Sequence, residues 1–128
     1  MTATHTKPSP AQLRRIRLEL AREHDHPLGS VEDGYDVIAP LHADGSLDSA
    51  MWKAHRKECR VVRFRSGEAH RIGHFVRRPG GSWAFRYGDG ADEAGRHFEE
   101  ERFLPGDYVS VRGSLGEHTF KVISVGPV

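Results

Sequence analysis

The second half of the chain is dominated by one pattern, in which short runs of alternating apolar and polar residues are separated by glycine-rich turns. A period of two is the spacing of a strand with one buried face, and several such runs in succession are typical of an antiparallel meander. The alternation predicts strands over residues 59–65, 71–77, 82–87, 107–112 and 118–125. The chain is therefore predicted to fold mainly as antiparallel β structure.

Two of the segments between these runs have strong turn chemistry. Residues 78–81 have the sequence Arg-Pro-Gly-Gly, in which proline fixes one φ angle and glycine permits positive φ. Residues 113–116, Gly-Ser-Leu-Gly, predict a second hairpin. Residues 88–96 are rich in Gly, Asp and Ala and are predicted to form a surface loop. The pattern of residues 97–103 favours neither a strand nor a helix.

The beginning of the chain carries helix signals instead. Ser9 can cap a helix that begins at Pro10, and Gln12 stands at the capping-box position. On such a helix the apolar stripe would consist of Leu13, Ile16 and Leu20. The opposite, charged side would consist of Arg15, Glu19 and Arg22. We therefore predict an amphipathic helix over residues 10–23 that packs on the core.

The segment that follows is punctuated by proline and glycine, so residues 24–36 are predicted to be an irregular connection. Residues 35–41 predict a short strand that ends at Pro40. Leu47, Met51 and Ala54 would share one side of a second short helix over residues 48–57.

These elements together predict an α+β fold that is mainly β. The architecture expected is a small antiparallel barrel or roll of the SH3-like or OB-like kind, with five or six strands, an N-terminal helix and a second short helix. A length of 128 residues suits one domain. That domain is predicted over residues 9–128, after a disordered tail over residues 1–8. The alternation predicts one shared core for Phe85, Val109, Val111, Phe120 and Val122.

Charge and cysteine content limit the function classes. The net charge is +1, so any nucleic-acid surface has to be local. The one cysteine, Cys59, excludes an internal disulfide framework and a cysteine-rich zinc motif. No stretch approaches the roughly 18 apolar residues of a membrane span, so no membrane partner is expected and the cytoplasm is the expected compartment.

Arginines in the strand-rich half are the candidate nucleic-acid contacts. The six that could meet phosphate if they share a face are Arg63, Arg65, Arg77, Arg78, Arg86 and Arg112. Trp83, Phe85 and Tyr87 alternate on one strand and could stack on bases. The energy gained by burying large aromatic side chains favours a core role for these three instead.

Histidine pairs invite a metal hypothesis, but none has a complete ligand spacing. His70 and His74 would lie about 13 Å apart on a strand, too far to share one ion. His24 and His26 could supply two ligands from a loop, and no rule selects a third from the other histidines, which include His42, His55, His97 and His118. No native metal site and no cofactor are predicted.

No set of residues makes a convincing catalytic site. Cys59 begins an apolar strand, so a buried structural cysteine is expected. There is no glycine-rich phosphate loop with its lysine, and the carboxylates of residues 99–101 are best explained as a solvated charge run. An enzymatic role is therefore not favoured, and no catalytic residue is assigned.

Residues 103–111 resemble the Gly-Asp-x-Val hairpins of SH3-like barrels, a pattern that also arises without any ligand. The same tract resembles the barrel of self-cleaving repressor peptidases, but no matching Ser and Lys dyad is present, since Lys121 alone lies in a strand beside candidate serines.

A wider resemblance covers about residues 24–125. Its residues are His26–Pro27, residues 34–36, Trp52, Cys59, residues 80–85 and residues 105–110. On these residues the chain is similar to a family of small uncharacterised proteobacterial proteins. That resemblance implies a bacterial source and no particular activity.

The function expected from the sequence is a non-enzymatic binding or regulatory module. One alternative is a nucleic-acid-binding barrel that uses the strand arginines, and another is a small metal-dependent or hydrolytic enzyme that uses histidines. Nucleic acid is the candidate partner, and no pattern in the sequence indicates an oligomeric state.

Overall fold

The computed structural model describes residues 10–88 and 90–128, and in them eight antiparallel strands form a closed barrel. Each strand pairs with its neighbours in sequence, and the last pairs with the first. The strands are β1 (Gln12–Leu20), β2 (Ser30–Leu41), β3 (Arg60–Phe64), β4 (Arg71–Arg77), β5 (Trp83–Arg86), β6 (Glu93–Arg96), β7 (Tyr108–Gly113) and β8 (Gly116–Pro127). A short helix, α1 (Ser49–Ala54), lies between β2 and β3. The predicted tail over residues 1–8 lies outside the described residues.

The N-terminal helix predicted over residues 10–23 is wrong, because this segment contains strand β1. Ile16, Leu18 and Leu20 are buried at every second position, while Arg17 and Glu19 between them are partly exposed. Leu, Arg and Glu favour helix intrinsically, but β1 hydrogen-bonds to both β2 and β8. Pairing on two sides with a buried face outweighs a propensity difference of a few tenths of a kcal/mol per residue.

The prediction of a second helix over residues 48–57 is also wrong, because this segment contains a single short helical turn region and no full helix. Only the six residues of α1 are helical, and residues 55–58 form turns. The Asp48 carboxylate accepts the Met51 N–H at 2.9 Å and so caps this segment. Trp52 is buried and its indole N–H donates to the Phe75 carbonyl at 2.7 Å, which fixes α1 against the barrel. No helix among the described residues is long and apolar enough to cross a membrane.

The fold class is therefore all-β and not α+β, and the SH3-like or OB-like architecture of five or six strands is replaced by an eight-stranded barrel. Two strands come from segments predicted otherwise: β1 from the expected helix and β6 from the expected loop over residues 88–96. Strand β2 begins at Ser30, well before the predicted start at residue 35. The turns over residues 78–81 and 113–116 join strands as predicted.

Aromatic and aliphatic side chains fill the interior. The predicted shared core of Phe85, Val109, Val111, Phe120 and Val122 is confirmed, since all five are buried in one cluster. Phe75 stacks on Trp83 with ring centroids 4.9 Å apart, and Phe98 meets Phe103 edge to face at 5.1 Å. The apolar cavity left inside has a volume of about 10 Å³, at the lower limit for a single water molecule. The barrel is thus a packed core, and binding surfaces have to lie on its outside or at its ends.

The two ends of the barrel differ. Up-and-down topology places residues 21–29, 65–70, 87–88, 90–92 and 114–115 at one end, which we call the mouth. The segment with α1 and residues 97–107 lie at the opposite end, where Phe98 and Phe103 are buried. Among the described residues, charged side chains enter the barrel toward the mouth, where Arg63 and Glu93 lie.

Candidate functional site

The six predicted arginines do not form one surface. Arg63 points into the barrel near the mouth, and Arg65 follows it at the rim. Arg77 and Arg78 lie at the other end of the barrel, where Arg78 donates to the Ser82 hydroxyl at 3.2 Å. The last two, Arg86 and Arg112, point outward from β5 and β7.

Two of the six, Arg77 and Arg86, lie in a groove with cations that were not predicted. The groove has a volume of about 290 Å³ and lies between α1 with its following turn and strands β4 and β5. We call it the basic groove, and its lining residues are Trp52, Arg56, Lys57, His74, Phe75, Val76, Arg77 and Arg86. No carboxylate is among them, so the groove carries a local excess of positive charge on a nearly neutral chain.

Most cations of the basic groove have no acidic partner. Arg56, Lys57 and Arg77 form no ion pair with any described residue. Instead, the Arg56 guanidinium lies 5.0 Å from the Trp52 ring centroid, and Arg77 lies 5.7 Å from that of Trp83. These aromatic contacts orient the guanidinium groups without neutralising them.

Arg86 is the exception, because Asp92 binds it with two hydrogen bonds. Arg86 Nε donates to one carboxylate oxygen at 3.0 Å and Nη2 to the other at 2.8 Å. This contact lowers the pKa of the Asp92 carboxyl below its ordinary value. The fork of Nε and Nη2 is the usual bidentate geometry of arginine with a carboxylate.

A row of basic side chains extends the groove across three strands. Arg60 on β3 is the register partner of His74 on β4, and His74 is the partner of Arg86 on β5. All three are exposed on the outer face. Neighbouring strands lie about 4.8 Å apart, so the row spans roughly 10 Å.

The predicted aromatic stripe belongs to the core and adds nothing to this surface. Trp83 and Phe85 are buried, and Tyr87 is half-buried and points into the barrel. Trp52 lines the groove but is almost fully covered. The groove can therefore contact a ligand through charge and offers little aromatic area for stacking.

A second polar cluster lies inside the mouth and centres on Arg63. With an exposed fraction of 7%, Arg63 is the buried charged residue of the described chain. Its Nη1 donates to the Asp33 carboxylate, to the Gly34 carbonyl at 3.0 Å and to the Phe64 carbonyl at 2.9 Å. Its guanidinium lies 4.5 Å from the Tyr35 ring centroid.

Glu93 lies on the wall of the mouth that faces Arg63, and it binds two tyrosine hydroxyls. One of its carboxylate oxygens, Oε1, accepts the Tyr35 hydroxyl at 3.0 Å and the Tyr87 hydroxyl at 2.6 Å. Burial, reinforced by the Glu93 charge, raises the pKa of both phenols far above the ordinary value. Both phenols thus stay protonated and hold Glu93 in place.

A pocket of about 80 Å³ opens between these groups. Its charged lining residues are Arg63, Arg65, Arg71 and Glu93, and apolar area comes from Val111, Leu115 and Phe120. Arg65 contacts acids only at long range, 3.8 Å to Glu68 and 4.0 Å to Asp33. The pocket is thus lined by charges of both signs, and Asp33 lies beside both Arg63 and Arg65.

Among the described residues, the histidine pairs considered in the sequence do not form a group of three metal ligands, although His26 and His118 meet at one carboxylate. His26 lies 3.4 Å from Glu23, and His118 contacts the same carboxylate at 2.9 Å. The group whose ligand atoms come within 4.8 Å of one another is His97, Glu99 and Glu100, all exposed. Exposed acidic groups often cluster in this way, and nothing else near them points to an ion.

Cys59 is buried, as the sequence predicted for a structural cysteine. Burial raises the pKa of its thiol to about 11, so the reactive thiolate is disfavoured. Arg56 and Lys57 were not predicted as groove residues, because they were assigned to the end of the second predicted helix. Tyr35 and Glu93 were not predicted either, because they meet only through barrel closure. No family model, curated protein or solved structure matches this chain.

Proposed function

We propose that this barrel is a non-enzymatic binding module that holds single-stranded nucleic acid by its phosphates in the basic groove. The observation that carries the proposal is the convergence of Arg56, Lys57 and Arg77 on one groove, with no carboxylate partner in the part of the chain that the structure describes. Like charges held together without counter-charges repel one another, and a polyanion removes that repulsion while releasing its own condensed cations.

The shape of the groove favours a single strand over a duplex. Reading a duplex directly usually requires a helix or a two-stranded ribbon in the major groove. The helix beside the basic groove, α1, has six residues and is held to the barrel through Trp52. A cleft of about 290 Å³ beside the outer face of the barrel suits one extended phosphodiester backbone.

The chemistry of the groove favours binding without base specificity. Its aromatic residues, Trp52 and Phe75, are covered, so base stacking contributes little. Guanidinium and ammonium groups that meet phosphates position a strand but do not identify its bases. We therefore expect similar affinity for different sequences and a strong dependence on salt.

A binding role agrees better with the described side chains than a catalytic one. The thiol of Cys59 is buried and protonated, and the mouth carboxylate Glu93 is occupied by two tyrosines. The groove itself contains cations, His74 and apolar residues. Such a set can hold an anion without changing its covalent bonds.

The proposal is tested by titrating fluorescently labelled single-stranded RNA of mixed sequence with the protein at several salt concentrations. Arg56, Lys57 and Arg77, each neutralising one phosphate, give a log–log salt slope of about −2, at roughly 0.7 per phosphate on a single strand. The double variant Lys57→Gln, Arg77→Gln should reduce that slope by about 1.4, because two of the contacts are lost.

A matched control removes one arginine and one lysine elsewhere. Arg112 and Lys121 are exposed on the outer faces of β7 and β8, outside the groove. The variant Arg112→Gln, Lys121→Gln should retain the wild-type slope and affinity. Equal losses in both double variants, absence of salt-dependent binding at micromolar protein, or tighter binding of polyglutamate than of RNA would each refute the proposal.

A further inference from the structure

We propose that the mouth of the barrel is a separate site, distinct from the basic groove, that binds a small carboxylate through Arg63. The site consists of the pocket of about 80 Å³ and the charged residues around it. It lies at the end of the barrel away from α1, so its ligand and a strand in the groove do not compete for the same residues.

The free edge of the Arg63 guanidinium carries this inference. Nη1 makes three hydrogen bonds to Asp33 and to two backbone carbonyls, and all of them lie on the β2 and β3 side. No hydrogen bond from Nε or Nη2 to a described residue accompanies them, although Arg63 lines the pocket. Those two nitrogens form the planar fork that can donate two parallel hydrogen bonds to a carboxylate. Arg86 uses the same two nitrogens to bind Asp92 in this chain.

The cost of burying Arg63 supports a role beyond packing. A buried guanidinium loses its hydration, and hydrophobic residues of similar volume usually stabilise a core as well or better. The remaining inward positions of the barrel are mostly apolar, so a hydrophobic residue would also fit the pattern at residue 63. A buried charge that faces a pocket is accordingly a recognised mark of a functional site.

The N–H edge of Arg63 is the group of the pocket that suits an anion. Arg63, Arg65 and Arg71 line the pocket together with Glu93, and Asp33 binds Arg63 from the β2 side. Glu93 is already bound on Oε1 by two hydroxyls, which stabilise its charge and hold it against the wall. An entering carboxylate would meet the N–H edge of Arg63 in a partly desolvated space, where the attraction is strong.

The size and lining of the pocket select a small ligand with a short apolar part. A volume of about 80 Å³ holds only a few heavy atoms. Val111 and Phe120 provide a buried apolar wall, and Leu115 stands at the rim with 74% of its surface exposed. A carboxylate on the Arg63 fork would direct its substituent along this wall, and burial of Leu115 would add to the affinity.

The test is an NMR titration of isotope-labelled protein with sodium propionate, with sodium chloride and ethylammonium chloride as controls. Propionate should give saturable shifts in the amides of Val111, Gly113 and Leu115 and in the Arg63 Nε–H resonance. Neither control salt should do so. Labelled RNA should bind equally well in sodium propionate and in sodium chloride at the same ionic strength, so failure at the mouth and failure at the groove are distinguishable.

Variants assign the effect to the mouth. Arg63→Met could unfold the barrel, so the test uses Arg65→Gln, which removes a rim cation that is partly exposed. Loss of one charge-assisted contact should weaken propionate binding about tenfold. Arg112→Gln removes the same charge from the outer face of β7 and should leave the affinity unchanged.

Three results would overturn the proposal. Shifts that do not saturate or that chloride reproduces would show nonspecific screening of charge. An equal loss in Arg65→Gln and Arg112→Gln would show that the field of the whole surface is responsible. Ethylammonium shifts in the same residues would show that Glu93, and not Arg63, selects the ligand.

Discussion

Two phenols share one carboxylate oxygen in the mouth, and this arrangement sets the protonation of the whole cluster. Tyr35 and Tyr87 both donate to Glu93, and Tyr35 also lies under the Arg63 guanidinium. Ionising either phenol would place a second negative charge beside Glu93 in a buried space. The folded barrel therefore opposes ionisation of these tyrosines, which makes stability at alkaline pH sensitive to them.

Alkaline titration tests this coupling. The folded barrel raises the pKa of Tyr35 and Tyr87, so their contribution to stability is complete below the unfolded value near pH 10 and declines as pH rises above it. The chain has three tyrosines, so a Tyr108→Phe variant retains Tyr35 and Tyr87 as its two phenols. We expect tyrosinate absorbance to appear only together with loss of the β-sheet circular dichroism signal.

The expected loss of stability above pH 10 is up to about 1.4 kcal/mol per pH unit for each phenol. The additional replacements Tyr35→Phe and Tyr87→Phe should flatten this pH dependence, although they cost hydrogen bonds at neutral pH. Gradual ionisation near pH 10 with the barrel intact would show that the mouth is solvated and that the cluster does not hold its protons.

At the scale of the element, the bend of β2 depends on one glycine. Gly34 pairs with Glu19, but the next pair along β1 is Leu20 with Ser30, so β2 bulges over residues 31–33. A Cβ atom at Gly34 would lie 1.9 Å from the Leu18 carbonyl oxygen and 2.7 Å from the Phe64 ring. The bulge brings Asp33 to Arg63, so this glycine also determines the geometry of the mouth.

Gly34→Ala is accordingly expected to destabilise the barrel by about 3 kcal/mol, because β1 and β2 have to separate to admit the methyl group. Gly126→Ala is the matched control, since it lies in β8 and a Cβ atom there would meet nothing within 4 Å. The control should change stability by less than about 0.5 kcal/mol. Urea unfolding measures both, and similar values for the two variants would contradict the close approach at Gly34.

The elements that the sequence predicted well are those with local signals. Strand β4 and the turn after it carry alternation and a Pro-Gly-Gly sequence, which act over a few residues. Strand β1 carries alternation too, at Ile16, Leu18 and Leu20, but its helix-favouring residues and capping signals compete with that alternation. Pairing of β1 with β8, which lies about 100 residues later in the chain, favours the strand over the helix. A local sequence pattern contains no information about this pairing.

The candidate sites were predictable only in part, for the same reason. Arg77 and Arg86 could be selected as strand arginines, whereas Arg56 and Lys57 join them through the docking of Trp52. The Arg63 cluster depends on the bulge of β2 and on contact between β2 and β6 side chains across the interior. Burial of a strand arginine cannot be read from period-two alternation, which assigns inward positions to apolar residues.

At the scale of the molecule, closure places the start of β1 beside the end of β8. Arg14 pairs with Pro127, so a short linker can join residues 10 and 128. New termini can be opened at Gly67, in an exposed turn where a Cβ atom would meet nothing within 4 Å. We expect this circular permutant to fold and to keep the salt slope of RNA binding, because every strand keeps both neighbours.

A permutant opened between Val61 and Val62 provides the comparison. That break lies inside β3, which pairs with both β2 and β4 at these residues, so it should prevent a cooperative unfolding transition. Circular dichroism and urea unfolding distinguish the two permutants. Failure of the Gly67 permutant alone would show that the order of the strands along the chain, and not the closed ladder, is required for folding.

Closure by the first and last strands also has a consequence for synthesis on the ribosome. Strand β1 emerges from the exit tunnel early and can form a hairpin with β2, but its second partner, β8, is translated about 100 residues later. During that interval one edge of β1 stays open to other nascent chains. Closing so long a loop is entropically slow, so the nascent barrel needs protection until translation has passed β8.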